Sequence, residues 1–555
     1  MALGPMIRLT ARHYLAIALI AFATLLPGRA SLPPLDRDEP RYMEATAQML
    51  TSHDFVDVRF LDQPRYLQPA GIYWLEAVSV AVLKGGPVRT AWPYRVPSLI
   101  AATLAITLTA WLGASLFGAR AGLLAAGLLD ASTLLTAEGR MATIDSTLLL
   151  AVMVVQIALW RAYRDGRAWK TTPIGWALAY WIGMGCGMML KGPVILIPGL
   201  LTPLMLWAWD RDRRWWHNLR PAWGWLLALA VVLPWCVAID VVSHGTFFSR
   251  AVGTNFLGKI GHGQQAHGSP PGFHLLVFAI AFWPGAAFAA WAAPAVWTRR
   301  DRPEVRFLLS WIVPHWLVFE LIATKLPHYV LPTYPAIAIL TAAALCTWPW
   351  QVARQRWARL LIGVYLAVGA VAGLAFCVAG PVLLWRIEHI MSPRALLAVV
   401  GAVPLVVAVF WLWRQREGER AAWSAIAAAV VIHTGLFVAV IPRLQTIWLA
   451  PRIATMFADF KPCPNSTLVS TSFSEPSLVF LVGQGTHLLG PDAAATYLGA
   501  HSQCALALVD RRDGPAFSAA MARQHLMPVE YGRIVGVNYS NGHKLDLGLY
   551  APVAQ

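Results

Sequence analysis

Residues 143–193 read TIDSTLLLAVMVVQIALWRAYRDGRAWKTTPIGWALAYWIGMGCGMMLKGP. One acid, Asp145, stands in front of an apolar run that includes Leu148–Val155. A basic loop with Arg161, Arg164, Arg167 and Lys170 follows, then a second apolar run that ends at Lys191. Crossing a bilayer takes about 20 predominantly apolar residues, and each run is long enough. The stretch therefore reads as two transmembrane helices joined by a short positive loop. Asp145 and Lys191 both fall at the end opposite that loop.

The rest of the chain repeats the pattern. Of 555 residues, 57% are hydrophobic and 13% are charged, against roughly 45–50% and roughly 25% in a soluble domain. Mean hydropathy is +0.55. These values exclude a soluble enzyme, a disordered chain and a fibrous one. Further apolar runs begin near residues 13, 93, 119, 191, 223, 272, 305, 328, 357, 395 and 420, so we expect about thirteen spans. The net charge of +16 would suggest nucleic acid in a soluble protein. Here the positive residues recur in alternate short loops: Arg8 and Arg12, Arg120, Arg161–Lys170, Arg211–Arg220, Arg299–Arg302, Arg354–Arg359 and Arg414–Arg420. That side is read as cytoplasmic, with the N-terminus inside, and no nucleic-acid partner is expected. An odd number of spans puts the C-terminus outside.

Two outer segments are too long to be linkers. Residues 31–92 contain two stretches with helical apolar spacing, Glu39–Leu50 and Gly71–Leu83, expected to lie at the membrane interface. Residues 240–271 form the second, with Gly and His in its latter half. The transmembrane part is placed at 1–442, and 443–555 has a soluble composition. In the latter, short apolar runs (Ser466–Val469, Ala505–Val509, Leu545–Tyr550) alternate with helix-like segments (Asp492–Gly499, Ala516–Gln524). Asn541-Gly542 is a hairpin signal. The fold class expected is a polytopic α-helical membrane protein with interfacial helices and a C-terminal soluble α/β domain on the outer face. Cys463 and Cys504 could pair if that face is oxidising. Cys186, Cys236, Cys346 and Cys377 lie in apolar runs and read as packing residues.

Candidate functional residues gather on the outer side. Asp36-Arg37-Asp38-Glu39-Pro40-Arg41-Tyr42 follows the first span; by residue type alone it is either an ionic site or a solvated turn with local ion pairs. Asp145 near a span is a functional hypothesis by default, and it is also a good helix cap. Lys191 and Lys325 either snorkel to the interface or join Arg41 and Arg140 in holding an anionic lipid phosphate. His262, His267 and His274 are spaced by 5 and 7 residues, which is not a helical metal-ligand spacing. A polar loop or a phosphate contact suits them better, and no metal is expected.

In these residues the chain resembles the lipid-linked-sugar glycosyltransferases of the GT-C fold. Within them it looks like the aminoarabinose (lipid A) transferase group, and more distantly like the protein O-mannosyltransferases. The matching features are Asp38-Glu39-Pro40-Arg41-Tyr42, Tyr94-Arg95-Val96-Pro97-Ser98, the Asp145 segment, Leu190-Lys191-Gly192-Pro193, Lys325-Leu326-Pro327-His328-Tyr329 and Asn538-Tyr539-Ser540-Asn541-Gly542. They are collinear across nearly the whole chain.

The resemblance implies a polyprenyl-phosphate sugar donor and transfer on the periplasmic face of a bacterial inner membrane. It implies lipid A or another envelope glycolipid as acceptor, and no cofactor. It maps the key carboxylates to Asp38 and Asp145. It maps the basic positions on the donor or acceptor phosphate to Lys191, Lys325 and Arg41; with these, Glu39, Tyr42, Arg65, Arg140, His262, His267, His328 and Tyr329 are expected to contact substrate. One departure stands out: the group carries Glu-Lys-Pro before the Tyr-Trp of the first loop, where this chain has Leu67-Gln68-Pro69 before Tyr73-Trp74. A uronic acid or a neutral hexose therefore stands beside aminoarabinose as the transferred sugar. The rival readings are the same fold with a protein or glycan acceptor, and a lipid transporter. Transporters place charges near the midplane of repeated halves, whereas here the ionisable residues gather at one face and no repeat is found.

Overall fold

The computed structural model describes residues 9–251, 253, 258, 268–349 and 355–554. Helix α1 (Ala11–Leu25) leads to α2 (Asp38–Ser52) and α3 (Gly71–Lys84), the two helices expected in the first long loop. Then come α4 (Val96–Phe117), α5 (Ala119–Asp130), α6 (Thr133–Glu138), α7 (Asp145–Arg167), α8 (Ile174–Lys191), α9 (Thr202–Asp210) and α10 (Pro221–Ser243). The second half of the bundle holds α11 (Phe273–Ala281), α12 (Gly285–Trp297), α13 (Pro303–Leu321), α14 (Tyr334–Thr347), α15 (Arg356–Leu383), α16 (Pro393–Arg414) and α17 (Gly418–Gly435).

Among the described residues, seven helices are long and apolar enough to cross a membrane, or up to nine if each of two bent pairs is one span. The expected count of about thirteen is higher for a physical reason. Runs that look continuous are broken where proline removes a backbone donor and clashes with the preceding turn. Ile174–Ile195 meets Ile197–Asp210 at 89° beside Pro193 and Pro198, and Phe273–Ala281 meets Gly285–Trp297 at 119° across Pro284. Helices α1 and α5, at 15 and 12 residues, are shorter than a typical span of about 20 and are not among those seven.

The centre of the bundle is α7. In its most apolar stretch 83% of residues are buried, against 11% in α16, whose side chains face outward. An outward apolar face is what lipid tails cover at no cost. Asp145 in the first turn of α7, with Arg164 and Arg167 in the last, complements the helix dipole at both ends. At the basic end, Arg167 and Arg306 converge on Asp210, and Arg120 pairs with Glu419.

At the opposite end, α3 packs directly on the end of α8. A Cβ added at Gly71 would lie 2.5 Å from the Met189 carbonyl oxygen. Gly71→Ala is therefore expected to cost about 1–3 kcal/mol and to shift Lys191, two residues further on. A thermal melt of the detergent-solubilised protein measures it; an unchanged midpoint contradicts this packing. Helices α2 and α3 share a buried contact in which the Thr46 hydroxyl donates to Glu76 Oε2 at 2.7 Å. Burial pushes the Glu76 carboxyl up to about 8, so it holds a proton at neutral pH.

Past α18 (Leu449–Phe460) the chain forms a five-stranded mixed sheet. Its strands are β1 (Thr467–Ser470), β2 (Thr486–Leu488), β3 (Ala505–Asp510), β4 (Leu526–Asn538) and β5 (His543–Ala554), in the order β2-β1-β3-β5-β4. Strand β1 is parallel to β2 and β3, and β5 is antiparallel to β3 and β4. The β4–β5 connection turns at Asn541-Gly542, where Gly542 has φ 77°, a conformation that suits glycine. Cys463 and Cys504 are disulfide-bonded across the start of the sheet, with Cα atoms 5.6 Å apart. The helix Pro476–Val482 presents Phe480 edge-on to Tyr94, ring centroids 5.5 Å apart. Arg89 bonds both Glu44 of α2 and the Phe480 carbonyl. The sheet unit thus packs on α2 and on the segment just before α4.

Candidate active site

Three breaks in helical structure meet: the start of α7, the end of α8, and the turn that follows Pro327. They bring together Asp145, Lys191 and His328, residues separated by 46 and 137 positions in the chain. Lys191 Nζ donates to Asp145 Oδ1 at 2.6 Å. His328 Nε2 lies 3.9 Å from Asp145 Oδ2, and its Nδ1 lies 3.8 Å from Glu138 Oε1. Thr143 Oγ1 fixes the other Glu138 oxygen at 2.6 Å. The Lys191 ammonium also sits over the Tyr329 ring, 5.6 Å from its centroid, a favourable cation–π geometry.

These groups stand at the polar end of a cavity of about 520 Å³. Asp145, Lys191, His328 and Tyr329 line it on one side, and Trp235 and Phe319 are among its apolar walls. A site with one charged end and an otherwise apolar lining suits an amphipathic ligand. Glu138, Asp145 and His328 each offer one ligand atom, all within 4.8 Å of one another. That set is able to hold a divalent cation, although the Lys191 ammonium already supplies positive charge to Asp145.

Asp38 is solvent-exposed and lies outside the cavity lining. Its side chain is 65% exposed and lies 3.8 Å from Arg41 Nη1. It acts electrostatically on Glu138, Tyr42, Arg65 and Tyr329, which places it toward the Asp145 cluster. Beneath it, Arg65 Nε donates to the Tyr73 hydroxyl at 3.0 Å and the guanidinium lies over the Tyr42 ring at 5.1 Å. Burial raises the Tyr42 phenol well above its ordinary range. Gln68, one of the two residues at the point of departure noted above, donates to Tyr73 Oη at 3.2 Å, and both Leu67 and Gln68 line the cavity.

Three of the expected substrate contacts have partners within the protein. Glu39 is 1% exposed and receives four hydrogen bonds: two from Arg95 at 2.7 and 2.8 Å, and the Leu35 and Ala142 N–H groups at 2.8 Å each. Arg140 donates to the carbonyls of Pro27, Thr136 and Thr24. Lys325 is buried and donates to the Ser269 and Ile322 carbonyls at 2.8 and 2.6 Å. Their charges hold the backbone of the outer loops, because a buried carbonyl without a donor is costly. His262 and His267 lie outside the described residues. Glu138 was not singled out from the sequence. An acid at the end of an apolar run is the signal that would have found it, the same rule that picked out Asp145.

Comparison with known proteins points the same way. The dolichyl-phosphate-mannose-protein mannosyltransferase family matches residues 68–237. The undecaprenyl phosphate-alpha-4-amino-4-deoxy-L-arabinose arabinosyl transferase of Pseudomonas paraeruginosa is 29% identical over 450 residues, 78% of this chain and 76% of that protein. Its namesake from Pseudomonas aeruginosa is 30% identical over 349 residues, 60% of each chain. The crystal structure of ArnT from Cupriavidus metallidurans bound to undecaprenyl phosphate superposes with a TM-score of 0.72 at 20% identity, covering 96% of this chain and 97% of that one. With sequence similarity over most of its length and a shared fold over nearly all of it, the chain is a polytopic helical membrane protein with an ArnT-like fold and a C-terminal mixed-sheet domain.

Proposed function

We propose that this protein is a membrane glycosyltransferase that moves one sugar from undecaprenyl phosphate to lipid A or a related envelope glycolipid. The observation that carries the proposal is the cavity in which an apolar wall runs up to Lys191, Asp145 and His328. A polyprenyl chain fits the wall, and its phosphate fits the ammonium. The names of the similar Pseudomonas proteins supply the donor class and aminoarabinose as the sugar.

In the reaction, the bond between the sugar's anomeric carbon and the carrier phosphate breaks, and its electron pair stays with the phosphate. An acceptor oxygen forms the new bond to that carbon. Lys191 stabilises the negative charge that grows on the leaving phosphate. Asp145 holds Lys191 and His328 in place at the cavity. Asp38 faces the acceptor. For a hydroxyl acceptor it takes the proton. A phosphate acceptor has no proton to give up, and Asp38 then steadies the positive charge on the sugar. Arg41 and Tyr329 complete the contacts.

The basic end of the bundle is proposed as cytoplasmic, which puts the site and residues 443–555 in the periplasm of a bacterial inner membrane. Residues 1–442 then form the catalytic membrane part. Counting α8 and α9 separately, α11 and α12 as one, and adding α1, α5 and α13 to the seven long helices gives about thirteen crossings. That number places the two chain ends on opposite sides.

The test is transfer by purified protein in liposomes holding lipid A and undecaprenyl-phosphate aminoarabinose, read by mass spectrometry. Wild type is expected to add one sugar. Asp38→Asn is expected to lose about 10²–10⁴ in kcat. Wild-type turnover by that variant contradicts the role given to Asp38.

A further inference from the structure

The segment Leu35–Asp38 is gripped from two sides. From the membrane side, the Glu39 carboxylate, itself locked on Arg95, accepts the Leu35 N–H at 2.8 Å. From the other side the grip comes from the sheet unit, more than 400 residues away in the chain. The Asp36 carboxylate accepts the Ser477 N–H at 2.8 Å and its hydroxyl at 2.5 Å. The Asp36 N–H donates to the Tyr539 hydroxyl at 2.6 Å. Arg37 Nη2 donates to the Ser540 carbonyl at 3.4 Å, and Arg37 Nε lies 3.9 Å from Glu475 Oε2. Glu475 is itself anchored, accepting from Asn538 Nδ2 at 2.8 Å. The Tyr539 ring packs edge-on against Trp448, centroids 5.3 Å apart.

Packing alone does not ask for this arrangement. A docked surface held by apolar contact would leave Asp36 in water. Here a half-buried carboxylate receives two donors from one serine, with its own backbone N–H bonded as well. All of these bonds converge on the two residues immediately before Asp38. By contrast, the Asp38 side chain, mostly exposed, is paired only with Arg41 among the contacts of the described residues. Its location is therefore set by the backbone that carries it, and that backbone is fixed by both halves of the molecule.

We propose that the β4–β5 hairpin and the helix Pro476–Val482 act as a clamp that positions Asp38 over the cavity, with Ser477 and Tyr539 as its positioning residues. This rests on the transferase reading above, in which Asp38 faces the acceptor. The sheet unit then has a defined task in the reaction, which is to hold an exposed carboxylate that has little to hold itself. A catalytic group misplaced by about 1 Å loses up to about 10²-fold in rate, so loss of the clamp appears in kcat. Donor binding, which belongs to the cavity, is untouched.

The experiment uses the full chain in lipid nanodiscs. Ser477→Ala and Tyr539→Phe each remove a hydroxyl and keep the surrounding packing, and Ser477→Thr keeps the hydroxyl. Two readouts are taken: hydrogen exchange of the amides of residues 35–39, and kcat and KM with undecaprenyl-phosphate aminoarabinose and lipid A. In Ser477→Ala and in Tyr539→Phe, exchange at residues 36 and 37 is expected to rise by about tenfold, the worth of one hydrogen bond. Turnover is expected to fall by about 10–100-fold at unchanged KM, and Ser477→Thr restores both. Wild-type exchange and wild-type kcat in the Ser477→Ala/Tyr539→Phe double variant would overturn the clamp. So would a fall in kcat that comes with a matching rise in KM and a lower melting temperature, since general loosening gives that pattern. If wild type transfers no sugar, the transferase reading fails by itself, and the exchange data still decide whether the clamp exists.

Discussion

Asp145→Asn is expected to reduce sugar transfer by about 10²–10³-fold while the protein inserts and folds normally. The substitution is nearly isosteric, so packing around the start of α7 is kept. What disappears is the negative charge that holds the Lys191 ammonium at 2.6 Å and faces His328 at 3.9 Å. The neutral amide no longer offers Lys191 a charged partner. The ammonium is then free to turn toward Glu138 or the Tyr329 ring, and the phosphate at the cavity end loses its oriented counter-charge. The loss belongs in kcat, because in the proposed reaction Lys191 acts on charge that develops during bond breaking. Binding of undecaprenyl phosphate without a sugar is expected to change much less. Turnover of purified protein in liposomes, with a lipid-binding titration beside it, separates the two. Transfer within a few-fold of wild type would remove Asp145 from the chemistry and leave it as a helix-capping acid.

Arg95→Met is expected to have the largest effect on stability, about 3–5 kcal/mol, as when one member of a buried ion pair is removed. Arg95 is fully buried. Its guanidinium grips Glu39 twice and also satisfies the carbonyls of Arg29, Leu32 and Pro33 at 2.6, 2.8 and 2.9 Å. Methionine fills the volume but strands a buried carboxylate and three buried carbonyls. The chain between α1 and α2 loses its anchor, and with it the ground on which Asp38 stands. Arg95→Lys is expected to recover little, since an ammonium lacks the planar fork that reaches both the carboxylate and the carbonyls. Melting temperature and monodisperse yield in detergent measure this. A wild-type melt for Arg95→Met contradicts the view that this ion pair organises the loop.

What could be read from the sequence, and what could not, follows from the range of the interactions involved. The apolar runs, the one-sided placement of Arg and the hairpin at Asn541-Gly542 are local signals, and they announce the bundle, its basic end and the last two strands. Asp145 and Lys191 were visible because an ionisable residue at the end of a span is expensive and needs a reason. Their pairing with each other was not visible, since 46 residues separate them and nothing local encodes a partner. The same limit explains Glu39, Arg140 and Lys325. By type and position Arg140 and Lys325 looked available to an anionic ligand and Glu39 to a substrate, yet the fold engages them with Arg95 and with backbone carbonyls. The helix breaks near Pro193, Pro198 and Pro284 were in plain sight as residues. How sharply the chain would bend there depends on what packs around the break.

The most direct test of the central claim is mass spectrometry of the envelope lipids of the host bacterium. A deletion strain is compared with strains complemented by wild type or by Asp38→Asn. The account predicts that one lipid A species loses the mass of a single sugar on deletion, regains it with wild type and does not regain it with Asp38→Asn. The size of that mass step also identifies the sugar as aminoarabinose, a uronic acid or a neutral hexose. An unchanged lipid A profile across all the strains, with no polyprenyl-phosphate sugar accumulating in the deletion, would contradict it.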